Sequence, residues 1–286
     1  MKNTKKANFH THSTFCDGRS TAEEMVLTAI QKGFTALGFS SHSMYPFSSS
    51  WHIPVKNFKD YCEEILRLKD AYKHKINIYL GFEADYIRGF TCPDKNGDYK
   101  EFNPDFMIGS VHYLMQEDGH FTVDDSADNV RAAVAKYYTK NGDWSTLDSR
   151  RLVHDYFQAE RDMLEKGNFN ILGHADLIRL RNTVLHYCDE KESYYKDELA
   201  LTAKAAAKAG VIVEINTGAI ARGIMDDLYP SEYFLDLLHE RGVPVCINSD
   251  AHDAKNLDAA FDRAVERVKK IGYRELIYPI AGSIEI

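Results

Sequence analysis

Residues 8–18 of the chain are NFHTHSTFCDG, and the interpretation of the whole sequence starts from this stretch. A short apolar run ends at His10, and His12 follows after a single threonine. Successive side chains of a strand point to opposite faces, so two residues separated by one position lie on the same side. The spacing therefore predicts that both imidazoles converge on one metal ion.

The same arrangement recurs along the chain, where short apolar runs alternate with helical patterns. Most of the runs end in a histidine or a carboxylate, and their ends lie at or near His10, His42, Glu83, His112, His174, Asn216, Asp250 and His252. Strands that alternate with helices are typical of a parallel sheet. Seven such runs in 286 residues predict a closed or nearly closed α/β barrel.

The remaining segments are predicted to be connections. Longer loops are expected over 43–55, 88–104 and 116–147, the last with a helix around 127–139. One more apolar stretch, ELIYPI, lies near the C-terminus and is a candidate for an eighth strand.

Composition narrows the classes of protein that fit. Hydrophobic residues make up 44% of the chain and charged residues 27%, which is typical of a packed globular protein. The net charge of −8, without a basic block, argues against a nucleic-acid partner and favours a small substrate. No apolar segment is long enough to cross a membrane or to serve as an export signal. Five scattered cysteines without a C-x-x-C pair argue against disulfides and thiolate zinc, so a cytoplasmic location is expected.

In a parallel barrel the carboxyl ends of the strands meet at one face, where the active site is built. Imidazoles and carboxylates gathered there would be costly to bury without a cation. Without thiolates, such a set suits Zn²⁺, Mn²⁺ or Fe, and it exceeds what one ion can use. Singly, each residue has an ordinary alternative, such as a core histidine or a helix cap. The histidines outside the set are expected in solvent (His74, His154, His186, His239) or stay undecided (His52, His120).

As a set, these motifs resemble the PHP (polymerase and histidinol phosphatase) superfamily. The resemblance is carried, in order along the chain, by HTHS with Asp17-Gly18, SSH at His42, GFEADY at Glu83, GSVH at His112, GHAD at His174, and NSDAH at Asp250 and His252. It implies a distorted (β/α)7 TIM-like barrel that forms a single domain over residues 1–286.

The resemblance also implies three divalent metal ions. One ion would be held by His10, His12, Glu83 and Asp250, a second by Asp17, His42 and His252, and a third by His112, His174 and the bridging Glu83.

The implied reaction is hydrolysis of a phosphate monoester. The segments SSHSMYPF, GSVHYL and EINTG most resemble the monofunctional histidinol-phosphatases, whose reaction converts L-histidinol phosphate to L-histidinol and phosphate. We expect Asp17 or His252 to protonate the leaving group. Arg179 and Arg222 are the candidates for binding phosphate, because a guanidinium bonds two oxygens at once. Asp85 and Asp176 are the candidates for the imidazole and ammonium ends, with the loop that contains Trp51 and His52 as a lid.

Other functions stay open at this stage. A generalist PHP phosphoesterase, a metal-dependent nuclease, an amidohydrolase-type barrel and a non-catalytic metal-binding module all share part of the pattern. Metal identity and oligomeric state, including a homo-oligomer, are also open.

Overall fold

Parallel strands alternate with helices along most of the chain in the computed structural model, which describes residues 6–286. The strands are β1 (Ala7–Asn8), β2 (Ala36–Phe39), β3 (His42–Ser43), β4 (Asn77–Asp85), β5 (Phe106–Ser110), β6 (Tyr113–Gln116), β7 (Gly119–Thr122), β8 (Ile171–Leu172), β9 (Ile212–Asn216), β10 (Val245–Asn248), β11 (Glu275–Tyr278) and β12 (Gly282–Glu285). The helices are α1 (Ala22–Gln31), α2 (Phe58–Ala71), α3 (Ala127–Tyr138), α4 (Ser149–Lys166), α5 (Arg179–Leu185), α6 (Ser193–Ala209), α7 (Gly218–Ala221), α8 (Glu232–Glu240) and α9 (Phe261–Ile271).

Seven parallel strands form the barrel wall, in the order β1-β2-β4-β5-β8-β9-β10, and β3 pairs with the upper part of β4. The first and last strands approach one another beyond their own ends. His12 N donates a hydrogen bond to Ala251 O at 2.9 Å, and Ala251 N donates one to His10 O at 3.3 Å. The predicted distorted (β/α)7 barrel is therefore confirmed as a nearly closed ring.

The local signals account for the first helices. Thr21 and Glu24 form a capping box at the start of α1, in which each side chain bonds the other residue's backbone N–H. The helical spacing between residues 58 and 72 places Tyr61, Ile65 and Leu68 on the buried face of α2. The helix expected around 127–139 is α3.

Two connections differ from expectation. The long segment 116–147 contains part of an antiparallel hairpin, β6–β7, as well as α3. The apolar stretch ELIYPI is not an eighth barrel strand, because β11 pairs only with β12 in a separate hairpin among the described residues. No helix within residues 6–286 has both the length and the apolar character needed to cross a membrane.

Aromatic side chains fill the barrel below the ends of the strands. The Phe106 ring lies against Phe9, with centroids 4.9 Å apart, and occupies the space beside Gly38 and Gly81. A Cβ at either glycine would lie 2.7 Å or less from that ring, so a larger residue there would displace it. Tyr278, from the C-terminal hairpin, covers the far end and bonds the backbone of Ile247. This packing leaves the carboxyl ends of the strands as the open end of the barrel.

Candidate metal centre

The predicted metal ligands all lie at the carboxyl end of the barrel. Short segments that follow β1, β5, β8 and β10 carry most of them, while His42 begins β3 and Glu83 lies within β4. Apart from Asp17 and His252, the ligands are buried.

The innermost group consists of His10, His12, Glu83 and Asp250. His10 Nε2 lies 3.0 Å from Glu83 Oε2, and His12 Nε2 lies 3.1 Å from Asp250 Oδ1. The cross distances, from His10 to Asp250 and from His12 to Glu83, are 3.6 and 3.5 Å. His10, His12 and Glu83 thus present ligand atoms within 4.8 Å of one another, and Asp250 Oδ1 lies beside both imidazoles.

These four atoms are buried, yet none of them has a hydrogen-bond partner within residues 6–286. Buried polar atoms without partners are costly and uncommon in folded proteins. The nitrogens and oxygens of this group lie close to one another, but they do not form hydrogen bonds with one another. This is the geometry of ligands that share a cation. Imidazole nitrogen and carboxylate oxygen are suitable ligands for zinc and similar ions, so the residues present fit a metal.

A second group surrounds Asp17 at the mouth of the site. Asp17 Oδ2 lies 3.3 Å from His252 Nε2, and Asp17 Oδ1 lies 3.8 Å from His42 Nε2. One ligand atom each from His12, Asp17, His42 and His252 lies within 4.8 Å of the other three. The Asp17 turn is tight because a Cβ on Gly18 would lie 2.5 Å from Ser13 N.

The other oxygen of Glu83 faces a third group. Glu83 Oε1 lies 2.8 Å from His174 Nε2 and 3.6 Å from His112 Nε2. His42, Glu83 and His112 also present ligand atoms within 4.8 Å of one another. The three groups therefore overlap more than the resemblance implied, since His12 and His42 each take part in two of them.

Electrostatics keep the central carboxylates ionised. Burial by itself raises the pKa of Glu83, but His10 and His42 outweigh it and hold that pKa well below the usual value. Burial likewise raises the pKa of Asp250, and Arg222 with His10 brings it well below normal. Both groups are anionic at neutral pH, as metal ligands must be.

A second layer of carboxylates holds the imidazoles in place. Glu214 Oε2 lies 2.7 Å from His10 Nδ1, and Asp85 Oδ1 lies 2.6 Å from His112 Nδ1. Such contacts fix the ring orientation and turn Nε2 of both imidazoles toward Glu83. The burial of His112 lowers its pKa, but Asp85 outweighs this effect and raises the pKa to about 10. Glu214 was missed from the sequence, although a carboxylate inside the apolar run GVIVEIN was a usable signal.

Neither carboxylate expected to contact the substrate lines the open cavity. Asp85 is buried, and its second oxygen lies 2.5 Å from Nε2 of His52, a histidine that the sequence left undecided. Asp176 is also buried, and its Oδ2 accepts a hydrogen bond from Ser231 N at 2.8 Å. The structure thus places both away from the cavity. Both oxygens of Asp85 are engaged, whereas Asp176 is engaged through Oδ2 and its Oδ1 has no hydrogen-bond partner among the described residues.

Comparison with known proteins agrees with this geometry. The family model described as the PHP domain matches residues 8–218, which is most of the chain and includes the ligand motifs from His10 to His174. The chain belongs to the PHP domain family.

Relatives of this PHP chain carry one recurring name. This chain is 27% identical to the "Probable histidinol-phosphatase" of Schizosaccharomyces pombe, over 93% of this chain and 87% of that protein. This chain is 23% identical to the histidinol-phosphatase of Bacillus subtilis, over 92% of this chain and 99% of that protein. A solved histidinol phosphate phosphatase of Lactococcus lactis, in complex with Zn, L-histidinol and phosphate, has a TM-score of 0.71 at 23% identity and covers 95% of each chain.

An open cavity of about 950 Å³ lies above the candidate metal ligands of the PHP barrel. Its wall includes the ligands Asp17, His42, His112, His174, Asp250 and His252 together with Trp51, Leu177, Leu180 and Ile224. Trp51 stands at this wall with its ring centroid 4.7 Å from His42 and 5.3 Å from His112. The loop expected to be a lid thus supplies an aromatic wall beside the ligands.

The two arginines expected to bind phosphate lie in different environments. Arg222 lines the cavity, and its two terminal nitrogens lie 3.1 and 3.2 Å from Asp250 Oδ2. Arg179 does not line it: its buried guanidinium binds Asp227 at 2.7 Å, Glu190 at 2.9 Å and Leu228 O at 2.9 Å. Arg179 is therefore engaged in the packing of α5, and we do not retain it as a phosphate ligand.

Arg181, two residues further on, lines the cavity instead. It donates to the backbone oxygens of Asp124 and Asp125, at 2.8 and 2.5 Å. Within residues 6–286 no carboxylate pairs with its guanidinium, so its charge faces the cavity without being neutralised. Sequence spacing could not separate Arg181 from Arg179, because both open the same short helix.

Proposed function

We propose that this chain hydrolyses L-histidinol phosphate to L-histidinol and phosphate. One observation carries the proposal: buried nitrogen and oxygen atoms without hydrogen-bond partners converge below a cavity that also presents Arg181 and Arg222. The names and ligands of the relatives support the choice of substrate. The functional unit we propose is the whole chain, 1–286, acting as one barrel domain.

The three overlapping ligand groups would hold three divalent ions, of zinc, manganese or iron. His10, His12, Glu83 and Asp250 would hold the deepest one, Asp17, His42 and His252 the one at the mouth, and His112, His174 and Glu83 the third. When bound, such ions polarise the phosphoryl oxygens and lower the pKa of a nucleophilic water. A general base alone contributes only about 10² to 10⁴-fold, against up to about 10²¹-fold needed for phosphate-monoester hydrolysis.

The chain's own residues bind and orient the phosphate. Arg181 is held by backbone oxygens, so its guanidinium is oriented before the substrate arrives. Arg222 is held by Asp250 and presents its remaining surface to the same cavity. Two fixed cations that line the same cavity as the candidate metal ligands would hold the phosphate near those ligands, which is the positioning that hydrolysis requires.

The leaving alkoxide must gain a proton as the P–O bond breaks. Asp17 and His252 lie together at the mouth, with Oδ2 and Nε2 3.3 Å apart, and both are partly exposed. Side-chain atoms that hold a metal ion are deprotonated, so neither residue can give its own proton while the ion is bound. We assign to Asp17 and His252 the binding of a solvent water that passes a proton to the leaving oxygen, and the proton released by the nucleophilic water restores it. Because both residues also lie in a ligand group, the transfer depends on the same contacts that order the site.

The test is phosphate release from a panel of substrates by the metal-loaded protein. We expect kcat/KM for L-histidinol phosphate to exceed that for simple alkyl phosphates of similar leaving-group pKa and for p-nitrophenyl phosphate. A Glu83→Gln variant is the inactive control, and elemental analysis should give more than one metal per wild-type chain. Equal kcat/KM across the panel would indicate a generalist phosphoesterase, and preference for an oligonucleotide would indicate a nuclease. Absence of turnover on every ester would indicate a binding module.

A further inference from the structure

One acidic side chain in the cavity has a charge that the site does not use. Five aspartates line the cavity, and four of them are engaged by neighbours in the pairs Asp17–His252, Asp125–Ser126, Asp250–Arg222 and Asp253–Lys255. The fifth is Asp124. No residue in the described range 6–286 forms a hydrogen bond or an ion pair with its carboxylate, so this charge remains available to a ligand.

The backbone holds Asp124 between a metal ligand and an arginine. Val123 N donates to His112 O at 2.9 Å, which ties the preceding residue to the metal centre. Arg181 donates to Asp124 O at 2.8 Å. Because the guanidinium bonds the backbone oxygen rather than the carboxylate, Asp124 is fixed in position while its side chain stays free.

The cavity therefore presents two kinds of binding group. Arg181 and Arg222 provide the positive charge for a phosphate, and Asp124, whose backbone oxygen binds Arg181, provides a negative charge. A simple alkyl phosphate would satisfy only the arginines. A phosphate monoester that also carries an ammonium group would satisfy both, and a charge-assisted hydrogen bond to Asp124 would favour it.

We infer that Asp124 determines substrate specificity by binding the ammonium group of the substrate, which makes phosphate monoesters of amino alcohols the preferred class. This inference rests on the proposed phosphatase function and replaces the roles expected of Asp85 and Asp176. The contact forms in the ground state and persists during hydrolysis. It therefore acts on binding and orientation rather than on the bonds to phosphorus.

The test compares Asp124→Asn with the wild type on three substrates: L-histidinol phosphate, O-phosphoethanolamine and ethyl phosphate. The last two form the critical pair, since ethyl phosphate lacks the amino group. Asparagine retains the shape and the backbone oxygen that Arg181 uses. We expect kcat/KM to fall by about 10- to 100-fold for the two amino substrates, the scale of a charge-assisted hydrogen bond, and to change little for ethyl phosphate.

Two inhibition measurements separate specificity from a structural effect. In Asp124→Asn, inhibition by L-histidinol should weaken, whereas inhibition by inorganic phosphate should keep its wild-type constant. Asp124→Glu, which retains the charge, should recover part of the selectivity. Asp128→Asn is the control because Asp128 is exposed in the first turn of α3 and does not line the cavity, and it should keep the wild-type ratio.

An equal loss on all three substrates, or no loss on any, would overturn the inference. Its failure is distinguishable from failure of the proposed function. If the wild type fails on L-histidinol phosphate but Asp124→Asn still abolishes a preference for phosphoethanolamine over ethyl phosphate, the proposed substrate is wrong and Asp124 is supported. If the wild type hydrolyses L-histidinol phosphate and Asp124→Asn retains its selectivity, the function stands and the inference is wrong.

Discussion

Glu214 Oε2 lies 2.7 Å from His10 Nδ1, and Glu214 Oε1 accepts a hydrogen bond from the backbone N–H of His174 at 3.1 Å. One buried carboxylate on β9 thus contacts two segments that carry metal ligands. Asn216 and Asn248 donate to the same carboxylate, at 2.6 and 2.9 Å, and hold it in this position. Glu214 is therefore placed to control the geometry of the candidate metal centre without being one of its candidate ligands.

The first prediction concerns this contact. Glu214→Gln should lower metal affinity by about 10- to 100-fold, because loss of the negative charge weakens the orientation and the basicity of His10. Titration of the metal against a chelator of known affinity measures the change. Glu275→Gln, an exposed substitution on the C-terminal hairpin, is the control. Equal metal affinity in wild type and Glu214→Gln would show that His10 does not need this partner.

The second prediction separates the two arginines of α5. Arg181→Ala should lower kcat/KM for the phosphate ester by about 10- to 100-fold with little change in stability, since it removes a charge from the cavity. Arg179→Ala should lower the free energy of unfolding by about 1.5 to 3 kcal/mol, because the partly exposed Asp227 and Glu190 would lose their buried partner.

Steady-state kinetics and denaturant unfolding of both variants provide the measurement. Arg181→Ala should show a kinetic defect with little loss of stability, and Arg179→Ala should show a loss of stability. A purely kinetic defect in Arg179→Ala would return that residue to the phosphate site.

The candidate metal ligands could be grouped from the sequence because their position depends on topology. A residue at the carboxyl end of a parallel strand faces the same opening as its counterparts on the other strands, so His10, Glu83 and His174 could be grouped without coordinates. The overlap between the groups was not predictable, since it depends on the distances between side-chain atoms around His12 and His42 in the folded chain.

The residues around the ligands were harder to predict. Asp85 and Asp176 each lie two positions after a candidate ligand. This spacing indicates the side to which the side chain points, but not which neighbouring group binds it. Arg179 and Arg181 lie on the same short helix, and only the directions of their side chains distinguish them. His52 comes from a loop without any periodic pattern, so only the folded chain brings it to Asp85.

The third prediction concerns the buried chain that begins in this loop. Ser49 Oγ lies 2.7 Å from His52 Nδ1, and the chain continues through Asp85 to His112. The ring centroids of Trp51 and His52 lie 3.7 Å apart. His52→Asn should therefore disturb both the third ligand group and the aromatic wall of the cavity.

Two readouts follow from His52→Asn. Metal content should fall by up to one ion per chain, and the change in Trp51 fluorescence when phosphate binds should be altered, measured in a Trp144→Phe background. His74→Asn, an exposed substitution after α2, is the control. If metal content and fluorescence both match the wild type, His52 is only a packing residue.

The last prediction is a pH dependence of stability that arises away from the metal centre. Glu160, on α4, is 1% exposed; its Oε1 accepts a hydrogen bond from Tyr156 at 3.0 Å, and its Oε2 has no partner among the described residues. Burial raises its pKa well above the usual value, and Asp176 adds to this effect, while the Tyr156 hydrogen bond opposes it. Glu160 is thus protonated in the folded protein at a pH where the unfolded chain has already ionised.

The sign follows from this difference. Below the unfolded pKa of about 4.3 both states hold the proton and the group has no pH effect. As the pH rises, the unfolded state loses the proton first, so the free energy of unfolding falls by up to about 1.4 kcal/mol per pH unit until the folded pKa is reached. Glu160→Gln keeps the oxygen that accepts from Tyr156 and removes the titration. Its stability relative to the wild type should therefore increase from pH 5 to pH 7, measured by urea unfolding at equal metal loading. Glu165→Gln, exposed on the same helix, should show no such trend, and parallel curves for Glu160→Gln and the wild type would mean that the buried carboxyl titrates normally.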